Sequence, residues 1–246
     1  MKQEEFELKV FKCRDVKTPT KSWDAAGWDF YIPENLSIFD FAESYKAYLD
    51  DSVVYEKTLV YYVPLVFYLK SSRTVGEFKA QLVLKWNDIT NEWAFNVVDY
   101  EDKTNNVLIG FNEVDNKMIK WMTEDGTVVS KIEMLPHSSI NIPSGIHVNL
   151  PDGIFLQAAN KSGIGSKRRL SYLAEIIDTD YEGEVHLNLI NLSDLNVIIK
   201  AGEKIIQMIA IHQPVMKVAK EYSSLEELYK GKKSERGAGG FGSSGV

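Results

Sequence analysis

Apolar and polar positions alternate along much of the chain, mostly with a period of two. Residues 4–12 place Phe6, Leu8 and Val10 on one side, the pattern of a half-buried strand. Residues 59–63, 81–86 and 93–98 are dense in β-branched and aromatic side chains, which suit a pleated surface. Alternation returns at 185–190, and 196–200 and 205–211 read as further short strands. Asp152-Gly153, Glu182-Gly183 and Ala201-Gly202 supply turns between them. Two stretches follow the helical period instead. Residues 38–49 put Phe41, Tyr45 and Tyr48 on one face. Residues 224–230 open with Ser-x-x-Glu, a capping box, and stop before Gly231. Many short strands with few helices predict an all-β fold: a sandwich, a jelly roll or a small barrel.

Composition narrows the function. At 44% hydrophobic and 26% charged, the chain is neither disordered nor collagen-like. Its 246 residues allow one large domain, or a core with an insertion. The net charge of −7 disfavours nucleic acid bound on a basic face. An anionic ligand would therefore need local cations, backbone amides or a metal ion. Cys13 is the only cysteine, which excludes an internal disulfide and any CxxC zinc site. His137, His147, His186 and His212 are scattered, and no metal-ligating cluster is visible. The most apolar stretch, 59–69, is interrupted by Pro64 and too short to span a bilayer. The charged N-terminus has no apolar run behind it, so the chain reads as soluble and cytoplasmic, in a host cytoplasm if it is viral.

The last eleven residues, 236–246, differ in kind: an arginine, a phenylalanine, two serines and five of the sixteen glycines. Such a segment does not order by burial and reads as a mobile arm. Clustered glycines let successive N–H groups converge on phosphate, arginine offers a planar fork, and phenylalanine a face for a base.

Five motifs in order resemble those of the trimeric dUTPase family. They are Ala26-Gly27-Trp28-Asp29-Phe30; Ile142-Pro143-Ser144-Gly145-Ile146 leading to Asn160-Lys161-Ser162-Gly163; Ile177-Asp178-Thr179-Asp180-Tyr181-Glu182-Gly183; the stretch 202–208, Gly-Glu-Lys-Ile-Ile-Gln-Met; and the arm from Arg236 to Gly245. The resemblance covers 1 to about 35 and about 131 to 246, and implies a jelly-roll-like homotrimer that splits dUTP between its α and β phosphates. Asp178 matches the water-activating carboxylate; alone it would read as a turn aspartate. Tyr181 matches the ring that packs on deoxyribose and leaves no room for a 2′-hydroxyl. Lys161, Ser162, Gly163, Gln207, Arg236, Gly240, Ser243 and Ser244 match phosphate-holding positions. Phe241 would cover the base, and Asp29 would support the site. Mg²⁺ is expected on the triphosphate, held by phosphate oxygens and water rather than by a protein cage.

Two departures stand out. The segment before Asp178, residues 170–177, is read as the hairpin that meets the base; Tyr172 lies on it, and it lacks the family's glycine. Glycine permits close backbone approach, so base choice stays open. Glu175 on this segment keeps the related dCTP deaminase, or a pyrophosphatase of another deoxypyrimidine triphosphate, as an alternative. Second, residues 37–130 have no family counterpart. They hold sixteen of the 28 aromatic residues, enough to fold as a β-rich subdomain with one helix. The expected division is therefore a core of 1–36 and 131–235, an inserted subdomain of 37–130, and the arm of 236–246. The insertion reads as an appendage on the trimer, or as a module for a regulatory protein, as in some bacteriophage members of the family. A catalytically silent binding protein on the same fold is the remaining alternative.

Overall fold

The computed structural model describes residues 7–51, 60–70, 77–87, 92–101, 107–112, 117–120, 128–214 and 219–233. The chain divides into two compact units, Met1–Gln213 and Pro214–Val246. In the first, β1 (Lys9–Lys12) and β2 (Trp28–Tyr31) precede the helix α1 (Ile38–Asp51). Then come β3 (Val60–Tyr62), β4 (Leu65–Lys70), β5 (Glu77–Asn87), β6 (Glu92–Asp99), β7 (Val107–Asn112) and β8 (Lys117–Lys120). After β9 (Val129–Met134), β10 (Ser139–Pro143), β11 (Ile146–Asn149) and β12 (Ile154–Asn160) comes a short helix, α2 (Ser162–Arg168). The unit closes with β13 (Leu170–Tyr172), β14 (Ile176–Ile177), β15 (His186–Asn191), β16 (Val197–Lys200) and β17 (Lys204–His212). The fold is all-β, as the strand pattern predicts. No helix among the described residues is long and apolar enough to cross a membrane.

Four sheets carry these strands: β1-β11; β10-β15-β13; β14-β12-β17-β2; and the long order β16-β9-β4-β5-β6-β7-β8, with β3 also on β5. The strands β3 to β8, from residues 60–120, thus join the sheet that holds β9 and β16. Phe67 stands opposite Ile132, and Ile199 stands opposite Ile132 from the other side. One apolar cluster runs from Phe41, Phe67 and Leu82 to Phe30, Leu156 and Leu187.

The two helices begin where the sequence places them. Asp40 Oδ2 accepts the Ser37 N–H at 2.8 Å, and Ser37 Oγ accepts that of Phe39 at 3.3 Å. These bonds satisfy donors that a helix start leaves open. The buried stripe of α1 is Ile38, Phe41, Ala42 and Leu49. Tyr48, expected on it, is 61% exposed, and Tyr45 ends in a 2.6 Å hydrogen bond to the Ser139 carbonyl. Phe41 and Leu49 are eight positions apart, so Tyr48 falls one residue, about 100°, off the stripe. In the second unit, α3 (Leu225–Leu228) is capped by Ser224, whose Oγ accepts the Glu227 N–H at 3.2 Å.

Candidate functional site

The candidate site residues among the described ones collect mainly at the two ends of β12. At its C-terminal end three strands lie side by side, and Ala159, Gln207 and Asp29 form one row across them. Gly27 lets this happen: a Cβ there would sit 2.6 Å from the Met208 carbonyl oxygen of β17, closer than atoms tolerate. Lys161, the residue after β12, donates to Asp29 Oδ1, and Lys204 donates to Oδ2 at 3.1 Å. Asp29 is thereby gripped by two ammonium groups. Burial pushes its carboxyl up, but the hydrogen bonds and charges of the two lysines outweigh that and hold it below the usual carboxylate range. The same bond raises Lys204. Gln207 Nε2 donates to the Asn160 carbonyl at 3.0 Å, and Asn160 Nδ2 to Ser171 Oγ at 3.1 Å. Ser162 and Gly163 open the first turn of α2 directly after Lys161.

The other end is built differently. Ile177 stands opposite Leu156, so Asp178 comes out beside the N-terminal part of β12. Thr179 Oγ1 donates to the Ile154 carbonyl at 2.6 Å and the Tyr181 N–H to the Asp178 carbonyl at 3.2 Å. These bonds set a tight turn. The Asp178 carboxylate itself is exposed and has no partner among the described residues. Tyr181 is 42% exposed and its hydroxyl donates to the Glu184 carbonyl at 2.9 Å. Its ring lies back over Gly183, where any Cβ would run into it. The Tyr-x-Gly spacing therefore has a steric cause.

Asp29, Lys161, Ser162, Gly163 and Gln207 are brought together; Asp178 and Tyr181 are not with them. Six positions of β12 separate the level of Asp178 from Lys161, roughly 20 Å along an extended strand. Residues 170–177 are not a hairpin. β13 pairs with β15 and β14 with β12, and the chain between them crosses from one sheet to the other. Leu173 donates to the Asn188 carbonyl at 3.0 Å, while the Glu175 carbonyl accepts from Ala158 at 2.7 Å. Tyr172 packs against the core from β13. Arg236, Gly240, Phe241, Ser243 and Ser244 lie outside the described residues. Lys204 is not among the residues the sequence singles out for the site; its place in the fourth motif, 202–208, is the signal that could have found it.

Residues 127–245 match the dUTPase family model. A deoxyuridine 5′-triphosphate nucleotidohydrolase of Hydrogenobaculum is 40% identical over 113 residues, 45% of this chain and 74% of that protein. The chain belongs to the dUTPase family. Among other dUTPases, that of Paramecium bursaria Chlorella virus 1 is 36% identical over 107 residues, 44% of this chain and 71% of that one. A solved dUTPase of Staphylococcus bacteriophage 80alpha, with dUpNHpp, aligns over 98% of this chain and 99% of its own. Its TM-score is 0.48 and its identity 15%.

Proposed function

We propose that this dUTPase hydrolyses dUTP to dUMP and pyrophosphate in a site shared between subunits of a homotrimer. The observation that carries the reading is the division of the site along β12. One end is cationic and pre-formed, with Lys161 and Lys204 held on Asp29 beside Gln207 and Ser162. The other presents an open carboxylate and an open ring. A triphosphate held at the first end cannot have its α-phosphorus at Asp178 of the same chain, across roughly 20 Å of strand. The Asp178 end of a neighbouring subunit supplies what is lacking, and symmetry repeats the arrangement three times.

The steps follow from these groups. Lys161, Lys204, Ser162 and Gln207 bind phosphate oxygens, and Arg236, Gly240, Ser243 and Ser244 close over them from the arm. Two fixed ammonium groups offset charge that would otherwise be repelled by a chain of net −7. Asp178 takes a proton from water. That water's oxygen forms a bond to the α-phosphorus, the bond to the α–β bridging oxygen breaks, and pyrophosphate leaves. The Tyr181 ring lies where a 2′-hydroxyl would be, and Phe241 covers the base, with Tyr172 on the base side. Among the described residues no three of His, Cys, Asp or Glu gather in one place, and both Asp29 oxygens are engaged by lysines. Mg²⁺ would be held chiefly by phosphate oxygens and water on the triphosphate, where it would offset the charge of the departing pyrophosphate. Residues 37–130 are an insertion into a core of 1–36 and 131–235, and a surface for a regulatory protein is one use of it.

The test is pyrophosphate release with Mg²⁺ from dUTP, dCTP, dTTP and UTP, with ammonia followed in parallel. Release from dUTP alone is expected. Release from dCTP or dTTP would mean that the glycine-free crossing at 170–177 has changed base choice. Ammonia would move the chain to the deaminases.

A further inference from the structure

Arg14 sits where three parts of the chain meet. Its Nε donates to Glu184 Oε1 at 2.8 Å and its Nη2 to Glu184 Oε2 at 3.3 Å; the remaining arm, Nη1, donates to Asp40 Oδ1 at 3.0 Å. All three side chains are at most 24% exposed, so water screens these pairs less than at an open surface. Each partner is also fixed from its far side. Asp40 caps the start of α1 through its other oxygen. Glu184 Oε1 accepts the Gly145 N–H at 2.6 Å, and burial of its carboxyl is outweighed by Arg14 and that amide, which keep it ionised. The backbone carbonyl of Glu184 accepts the Tyr181 hydroxyl at 2.9 Å, with His186 Nδ1 at the same distance. A continuous path of polar contacts therefore runs from α1 through Asp40, Arg14 and Glu184 to the hydroxyl of Tyr181.

We propose that Arg14 is a positioning residue for sugar discrimination: by clamping Glu184 to α1 it fixes the carbonyl from which Tyr181 hangs, and with it the ring that meets deoxyribose. This rests on the reading of Tyr181 given above. Only a guanidinium can do it, because one planar group must fork onto a carboxylate while its third nitrogen reaches a second acid. Residues 37–130 thereby take part in the site, since the acid that anchors Arg14 lies on α1. The ring's hydroxyl hangs on the Glu184 carbonyl, and the absence of a side chain at Gly183 leaves the space in which the ring lies. A small displacement of its anchor moves it directly, and misplacement of the order of 1 Å alters rates strongly.

The experiment measures kcat and KM for dUTP and UTP in Arg14→Met, Arg14→Lys, Asp40→Asn, Tyr181→Phe and Tyr181→Ala, with melting temperatures alongside. Arg14→Met should lower the preference for dUTP over UTP on the order of tenfold, the size expected for losing a coupled, partly buried pair. KM for dUTP should rise more than kcat falls. Arg14→Lys should recover part of the preference, because an ammonium reaches one acid but not both. Tyr181→Phe should lose a similar amount, and combining it with Arg14→Met should add little. Lys79→Met breaks an ion pair with Glu101 on the large sheet and should leave the preference intact. If Arg14→Met does not fold, Asp40→Asn carries the test, with a smaller loss in the same direction. An unchanged preference in the Arg14 or Asp40 variants, beside a changed one in Tyr181→Phe, sinks the clamp and leaves the Tyr181 role standing. An unchanged preference in Tyr181→Ala sinks both.

Discussion

The two ends of β12 handle charge in opposite ways. At the C-terminal end, Asp29 is 18% exposed and both its oxygens are taken by lysines. At the N-terminal end, Asp178 is exposed and unpartnered among the described residues. The first carboxylate is spent on holding cations in place, so it is useless as a base. The second has no partner among the described residues, which suits the base role proposed for it. The contrast is the division of labour that phosphoryl chemistry asks for: a fixed electrostatic cradle, and a separate group whose protonation changes during the reaction. A base next to Lys161 and Lys204 would lose basicity to them. Distance within one chain keeps the two ends apart, and the proposed trimer would reunite them around the substrate.

The sharpest way to break this comparison is to remove the proposed base alone. Asp178→Asn should lower kcat by roughly a thousandfold, within the range for losing a positioned base. Binding of a non-hydrolysable dUTP analogue, followed by calorimetry, should remain within a few-fold. Loss of binding together with rate would place Asp178 in the cradle and erase the contrast.

A mixing experiment asks whether the ends belong to different subunits. Asp178→Asn and Gln207→Ala should each be close to inactive. If each site takes its base from one chain and its cradle from another, unfolding and refolding them together at equal amounts makes roughly one site in four whole by random assortment in a symmetric trimer. Pyrophosphate release should then recover to that fraction of wild type. No recovery in particles that light scattering shows to be trimers would mean that each chain completes its own site.

The ends also differ in how far the sequence reveals them. Asp178, Tyr181 and Gly183 sit within seven residues, so the motif is readable as a unit, and the structure supplies the cause of its spacing in the ring that covers Gly183. The cradle is assembled from Asp29, Lys161 and Lys204, brought together by three strands. Each residue was open to a motif reading, but the grip of two lysines on one carboxylate is a matter of register. The strands at 81–86, 93–98 and 205–211 follow from side-chain type. The crossing at 170–177 does not. A hairpin and a sheet-to-sheet crossing have the same local pattern, and only the partners of β13 and β14 tell them apart. Arg14 and Glu184 had no signal, because an ion pair across 170 positions leaves no periodic trace.

Gly183→Ala tests the open end at lower cost to activity. The methyl group must displace the Tyr181 ring, because the two cannot share the space. Discrimination against UTP should fall several-fold, and more than kcat for dUTP does, in the same assay panel. Equal losses on both nucleotides would mean that the turn, not the ring, had been damaged.

The smallest effect belongs to the closed end and is read as pH dependence. Asp29 is held below its ordinary range in the folded chain, so folding favours its ionised form. The sign follows: its contribution to stability is complete above the unfolded value of about 3.9 and is lost as pH falls through the lower folded value. Asp29→Asn removes the negative charge and leaves Lys161 and Lys204 facing each other without it. Wild type should therefore be more stable than Asp29→Asn at pH 7, judged by urea midpoints, with the gap closing below about pH 4. If the gap persists unchanged well below that pH, the two lysines do not hold Asp29 in its ionised form, and the contrast between the ends of β12 fails at its electrostatic root.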